Sequence, residues 1–138
     1  MITYALDTNT VSYLLRDEGN IRKNVEQAIS QQGNAYAIPP AVIYEIQRWL
    51  RDKPTRAMKI FSLQFDTLFR AVINKSEMSL DIWEAAADIY ISLKQKGQLI
   101  SDADILIAAY CLANKYTLVT RNTDDFNRID GLKIVNWY

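Results

Sequence analysis

The sequence predicts an α/β sandwich, with helices packed around a mostly parallel sheet. Three observations point to it. Short apolar runs, partly β-branched, alternate with longer runs whose apolar residues recur every three or four positions. Capping and breaking residues separate most of these runs. Finally, 138 residues at 49% hydrophobic and 23% charged suffice for one core, and no repeat, linker or low-complexity tract divides the chain, so residues 1–138 are expected to form a single domain.

Ile2–Leu6 predicts the first strand, short and apolar, and Thr10–Arg16 a short helix. Asn20 is placed to cap a second helix, Ile21–Gln32, which Gly33 ends. Ala35–Ile38 predicts a second strand. Pro39 and Pro40 open a third helix running to about Asp52, since proline is tolerated in a first helical turn. Pro54 starts a fourth, Thr55–Arg70, with Met58, Phe61, Phe65, Leu68 and Phe69 as its apolar positions. Val72-Ile73 predicts a brief strand. Ser79 caps a fifth helix, Leu80–Lys96, ended by Gly97, and Ser101 or Asp102 caps a sixth that reaches Lys115. Thr117–Thr120 and Leu132–Trp137 predict the remaining strands.

Composition narrows the chemistry. Sixteen basic and sixteen acidic residues leave a formal net charge of zero, so a nucleic-acid partner needs a local basic patch. The single cysteine, Cys111, permits no intramolecular disulfide, fits a reducing cytosol, and lies in an apolar run that makes it a core residue. The N-terminus lacks the basic and apolar regions of a signal peptide, and the apolar segment Ala103–Ala113 is too short to span a bilayer. A cytoplasmic location without membrane contact is expected. The absence of histidine excludes Ser-His-Asp and Cys-His hydrolases, histidine-based nucleases and the usual zinc sites. Carboxylate chemistry, metal-assisted chemistry or no chemistry remains.

Four acids stand where strands end or helices begin. Asp7 closes the first strand and opens Asp7-Thr8-Asn9-Thr10, where it either caps a helix or, abutting the core, calls for a cation. Glu45 shares a helix face with Val42, Ile46 and Trp49; it is either a buried carboxylate needing a partner or an edge residue paired with Arg48 or another base. Asp104 belongs to Ser101-Asp102-Ala103-Asp104, a capping-box pattern at the start of an apolar helix, with Asp102 as the cap or an outer acid. Asp124 and Asp125 follow the Thr117–Thr120 strand, and either can cap the short segment at Phe126. In parallel α/β sheets ligands bind beyond the carboxyl ends of the strands, which points Asp7, Asp104 and Asp124-Asp125 to one rim. Such an all-oxygen site suits Mg²⁺ or Mn²⁺.

Taken in order, Leu6-Asp7-Thr8-Asn9, Glu45, Asp104-Ile105-Leu106-Ile107-Ala108-Ala109 and Thr120-Arg121-Asn122-Thr123-Asp124-Asp125-Phe126 resemble the PIN-domain ribonucleases, and most closely the VapC toxins of bacterial VapBC toxin–antitoxin pairs. The resemblance implies a three-layer α/β/α PIN fold and a Mg²⁺- or Mn²⁺-dependent endoribonuclease that leaves a 5′-phosphate and a 3′-hydroxyl. It implies Asp7, Glu45, Asp104 and Asp125 as catalytic acids, with Asp7 and Asp104 as principal metal ligands and the fourth position less constant. Thr8, Asn9, Thr120 and Asn122 match supporting polar positions. It further implies a VapB-type antitoxin wrapping the Thr10–Ile29 and Thr55–Phe69 region, homodimerisation, and transfer-RNA or ribosomal-RNA loops as substrates.

Acidic residues repel RNA, so basic residues must flank the pocket. Arg48, Arg51, Lys53, Arg56 and Lys59 cluster at one helix junction, and Arg121 follows the Thr120 strand end. Arg48, Arg51 and Arg121 are the candidate RNA contacts, although a solvated charged surface explains the cluster equally. Tyr13, Tyr44 and Trp49 are candidates for stacking on bases or, for Trp49 first, for packing. Two other classes stay open: a catalytically inactive PIN-like module that binds RNA or a partner, and an acid-pocket phosphatase with Asp7 as nucleophile. The phosphatase needs a second acid two residues on, where this chain has Asn9.

Overall fold

The computed structural model describes residues 1–31, 33–72 and 77–138. Its centre is a four-stranded sheet in which all pairings are parallel, in the order β2-β1-β3-β4. Strand β1 (Thr3–Leu6) is central: Tyr4 lies opposite Tyr36 on one side and Thr117 on the other, and Leu6 lies opposite Val119. Flanked on both edges, its Ala5 and Leu6 are wholly buried, which is why this strand is apolar throughout its second half.

Helix α1 (Thr8–Arg16) follows at once and buries Val11, Leu14 and Leu15 at helical spacing. It begins two residues earlier than predicted because Asp7 caps it, accepting from the Thr10 amide. Helix α2 (Ile21–Ile29) stops short of the predicted Gln32, a residue outside those described, and Asn20 makes no side-chain capping bond. After β2 (Ala35–Ala37), helix α3 (Pro40–Asp52) buries Val42, Ile46 and Leu50, and α4 (Arg56–Ala71) starts behind Thr55, whose hydroxyl accepts from the Met58 amide. The cap is therefore Thr55, with Pro54 outside the helix. Of the predicted Val72-Ile73 strand, Val72 forms a bend and Ile73 lies outside the described residues.

Helix α5 (Leu80–Gln95) follows Ser79, which occupies the capping position without a side-chain bond, and Gly97 turns the chain with φ +65°. Helix α6 (Asp102–Asn114) is the buried one, with Ile105 and five consecutive residues, Ile107 to Cys111, enclosed. Its cap is Ser101 rather than Asp102, and Lys115 ends it in the left-handed conformation at φ 58°. Strand β3 (Thr117–Val119), α7 (Thr123–Phe126) and β4 (Ile134–Val135) complete the chain; β4 is far shorter than the predicted Leu132–Trp137 because it pairs on one edge only, with Leu118 and Val119.

Helices α1, α3 and α4 pack on one another, α2 packs on α1, α5 packs on α6, and α3 also touches α6. The β1-to-β2 connection carries α1 and α2, and the β2-to-β3 connection carries α3 to α6. Chain direction across the sheet reverses between β1 and β3. The crevice beyond their carboxyl ends is the switch point where α/β sheets bind ligands. No described helix is long and apolar enough to cross a membrane.

Candidate active site

Asp7 sits at that crevice, one residue beyond β1, and is 5% exposed. Its amide donates to the Val119 carbonyl (3.2 Å), tying the end of β1 to the end of β3. One carboxylate oxygen accepts from the Thr10 amide (2.8 Å) and the other from the Thr120 hydroxyl (2.6 Å). Asp7 is thus both a helix cap and a buried acid at the carboxyl end of β1. Burial pushes its pKa up, the Thr10 and Thr120 hydrogen bonds pull it down, and the charge of Glu45 adds to the rise. Thr120 is fully buried, and its hydroxyl also accepts from the Asn122 amide (2.9 Å).

Glu45 reaches the same place from α3. It is half-buried at the margin of the Val42 and Ile46 stripe, and its carboxylate accepts from the Thr8 hydroxyl (2.5 Å). Its partner is therefore Thr8, not Arg48, whose guanidinium lies 5.3 Å from the ring centre of Tyr44. Asp104 enters from the first turn of α6. Burial raises its pKa to about 6, opposed by the Ser101 hydroxyl and reinforced by the charges of Glu45, Asp7 and Asp125. Asp125, on α7, accepts from the side-chain amide of Asn122 (3.0 Å) and pairs with Arg128 (3.4 Å).

The four predicted acids therefore share one electrostatic neighbourhood, drawn from the junction of β1 with α1 and from α3, α6 and α7. Asp102 and Asp124 are exposed and are not among the charges acting on Asp7 or Asp104, which distinguishes Asp125 from its neighbour. Asn9 is exposed along a groove between α1 and α3, a cavity of about 510 Å³ that also meets Thr8, Glu45, Arg16, Arg48 and Trp49. Trp49 stacks on Phe61 of α4, so its ring serves packing, while Tyr44 is 64% exposed. Arg51 bonds back to Gln47, and Arg121 lies over the Tyr138 ring at 5.7 Å.

Sequence reasoning missed four residues around the site. Arg128 had a signal, its three-residue spacing from Asp125 on a helical turn. Arg16 had a weaker one as a basic residue in the last turn of α1. The Thr10 hydroxyl and Tyr138 had none, since they meet across 128 positions of sequence.

As a donor set, the acids suit a hard cation. Every candidate ligand is an oxygen, and among the described residues no ion pair engages Asp7, Glu45 or Asp104. No group of three or more such side chains among the described residues is placed to hold a metal ion as it stands. Mutual repulsion spreads carboxylates, and a cation reverses the sign of that interaction.

The fold and the rim of acids define a PIN domain: the PIN domain family matches residues 4–132, and the chain belongs to that family. Within it, the chain is similar along its whole length to VapC proteins. Ribonuclease VapC2 of Rickettsia felis is 28% identical over 134 residues, covering 97% of each chain, and Ribonuclease VapC2 of Haemophilus influenzae is 27% identical over 145 residues, covering 99% of each. Among solved structures, a chain of VapBC2 from Rickettsia felis bound to a DNA fragment from their promoter superposes with a TM-score of 0.87 at 26% identity, over 99% of this chain and all of that one. VapBC-1 of nontypeable Haemophilus influenzae shares the fold at a TM-score of 0.84 and 22% identity, over 99% and 98% of the two chains.

Proposed function

We propose that this chain is a Mg²⁺- or Mn²⁺-dependent endoribonuclease and the toxin of a VapBC-type pair. The observation that carries the proposal is that Glu45, Asp7 and Asp125 all act on the charge of Asp104 at the rim of a PIN fold, where burial and these acids raise it to about 6. The ribonuclease names of the VapC relatives support the reaction type. Asp7 and Asp104 are the principal ligands in this reading, with Glu45 and Asp125 completing the pocket. These carboxylates would hold a divalent cation, which when bound would supply Lewis-acid activation of water and charge neutralisation at the scissile phosphate.

The chain's own residues supply placement. Thr120 and the Thr10 amide hold Asp7 in one orientation, Thr8 holds Glu45, and Asn122 holds Asp125. The α1–α3 groove leads away from Glu45 with Arg16 and Arg48 among its lining, a path for an RNA backbone that the acids alone would repel. Arg121 is a third contact at the β3 end. Transfer-RNA or ribosomal-RNA loops are the substrates in this reading, since single-stranded loops are the usual targets of sequence-specific RNA recognition. The phosphatase alternative is disfavoured because both Asp7 oxygens are engaged by donors and position 9 is Asn.

The VapBC complexes among the similar structures support a VapB-type antitoxin as partner. An apolar groove of about 400 Å³ lined by Leu14, Leu15, Val25 and Leu68, with Arg22 and Glu26 beside them, fits an amphipathic segment. Exposed Leu80, Trp83 and Ile91 share one face of α5 and suit a second copy of the chain.

The test is cleavage of defined RNAs by the purified chain with Mg²⁺ or Mn²⁺, beside Asp7→Asn and Asp104→Asn. Cleavage lost in both variants and in EDTA is expected. Equal cleavage by all three proteins overturns the proposal, and RNA binding without any cleavage identifies a binding module instead. Growth arrest on expression, relieved by Asp104→Asn, tests the toxin role.

A further inference from the structure

Tyr138 touches both α1, at Thr10, and the segment after β3, at Arg121. The Tyr138 hydroxyl lies 2.9 Å from Thr10 Oγ1, and Thr10 donates its hydroxyl proton to the Val119 carbonyl (3.1 Å). Thr10 has one such proton, so the Tyr138 phenol is the donor in their contact. Burial pushes the phenol's pKa up, the Thr10 contact and Arg121 pull it down, and the charge of Asp7 adds to the rise. The Val119 carbonyl thus receives both Thr10 and the Asp7 amide, while the Thr10 amide binds the Asp7 carboxylate. On its other side the ring faces Arg121, the residue after Thr120, whose hydroxyl binds the second Asp7 oxygen. The ring itself is fixed by an edge contact with Tyr13 at 5.2 Å and by its neighbour Trp137, whose carbonyl accepts from Asn24 (2.6 Å) and whose indole lies 4.7 Å from Tyr4.

We propose that Tyr138 is a positioning residue with two separable actions: its hydroxyl holds Asp7 through Thr10, and its ring aims the Arg121 guanidinium at RNA phosphate beside the acidic pocket. The inference rests on the metal-nuclease reading above. A hydroxyl that acts only through another side chain still sets the entry angle of α1, because the Thr10 hydroxyl ties that helix to the carbonyl at the end of β3. An arginine stacked on an aromatic ring loses less freedom when it binds phosphate than one in open water.

Tyr138→Phe removes the hydroxyl and keeps the ring; Tyr138→Leu removes both. Calorimetric Mn²⁺ titration without RNA, and kcat and KM on a cleaved oligonucleotide, separate the two actions. Tyr138→Phe is expected to weaken Mn²⁺ binding and lower kcat by about tenfold, the lower end for groups that support metal ligands, with KM unchanged. Its effect on Mn²⁺ should not add to that of Thr10→Val. Tyr138→Leu should in addition raise KM, and that rise should not add to the one caused by Arg121→Gln. A Tyr138→Phe protein with wild-type Mn²⁺ affinity and kcat overturns the first action. If the KM effects of Tyr138→Leu and Arg121→Gln add fully in the double variant, the second falls; should Tyr138→Leu not fold, Tyr138→Trp, which restores a ring without the phenol, must keep wild-type KM. Wild-type protein that neither binds Mn²⁺ nor cleaves RNA defeats the metal-nuclease reading itself, whereas a cleaving wild type beside an unaltered Tyr138→Phe defeats only the role of Tyr138.

Discussion

Replacing Asp104 by Asn should stabilise the metal-free protein while abolishing cleavage. The folded-state pKa of Asp104 is about 6 against an ordinary 3.8, with burial the main cause and the charges of Glu45, Asp7 and Asp125 adding to it. Because the folded value is the higher one, the folded chain binds more protons than the unfolded chain between those two values. This carboxyl therefore lowers stability as pH rises through that window, and the full cost is present above pH 6. A difference of about two pH units corresponds to about 3 kcal/mol. Asp104 is only partly buried, and water screens it, so about 1–1.5 kcal/mol is the expected gain from neutralising it. Urea unfolding in EDTA, followed from pH about 4 to about 8, measures this directly through the midpoint at constant slope. Wild type and variant should coincide at the acid end and separate through the window, the variant being more stable at neutral pH. Excess Mn²⁺ should then stabilise wild type by mass action and the variant much less. A variant that is less stable at neutral pH, or two curves that stay parallel, would refute the reasoning.

Other expectations follow from single contacts. Thr120→Val removes the donor to Asp7 and the acceptor for the Asn122 amide in a fully buried position, and should cost about 1–3 kcal/mol in urea unfolding; an unchanged midpoint would show that these bonds carry no net stability. Lys115→Gly relieves a left-handed residue at the end of α6 and should raise stability by about 0.5–1 kcal/mol, the opposite sign to most substitutions, with a lowered midpoint as the contrary result. Binding of single-stranded RNA by the Asp104→Asn protein should become less salt-dependent when Arg16 or Arg48 is changed to Ala, by about 0.7 in the logarithmic slope for each phosphate no longer neutralised; an unchanged slope would place the RNA elsewhere.

What was legible in the sequence depended on the range of the interaction. Strand β1, helix α3 and the buried α6 could be read because each carries its own apolar period, and Asp7 and Asp104 could be read because they stand beside those runs. The nearness of Asp7, Asp104 and Asp125 followed from one topological rule about parallel sheets, without any residue contact, whereas Glu45 was marked only by its place beside the apolar stripe of α3. Boundaries failed where a side chain decided them: Asp7 started α1 early, and Thr55 rather than Pro54 capped α4. The Thr8–Glu45 bond and the Tyr138–Thr10 bond were illegible for a different reason. Thr and Tyr are common and neutral, and nothing local marks which of them meets which across the sheet.

Capping and the proposed catalytic role are not rival explanations at this site. Asp7 caps α1, Asp104 occupies the third position of α6 behind the Ser101 cap, and Asp125 lies in the first turn of α7. An acid near a helix N-terminus gains about 0.3–1 kcal/mol from the unpaired amides and the helix dipole. The longer helices α1 and α6 thus bring partial positive charge to the rim where the acids gather. That contribution is too small to cancel the rise of Asp104 to about 6, so the pocket stays short of positive charge. The same short polar residues that start helices therefore assemble a cluster of carboxylates that the fold tolerates but does not neutralise. The consequence is measurable: Ser101→Ala should both loosen α6 and raise the Asp104 pKa further, because the hydroxyl now lowers it, so the pH window of the Asp104 effect should move upward. A window left in place would separate the cap from the site and return Asp104 to burial and its acidic neighbours alone.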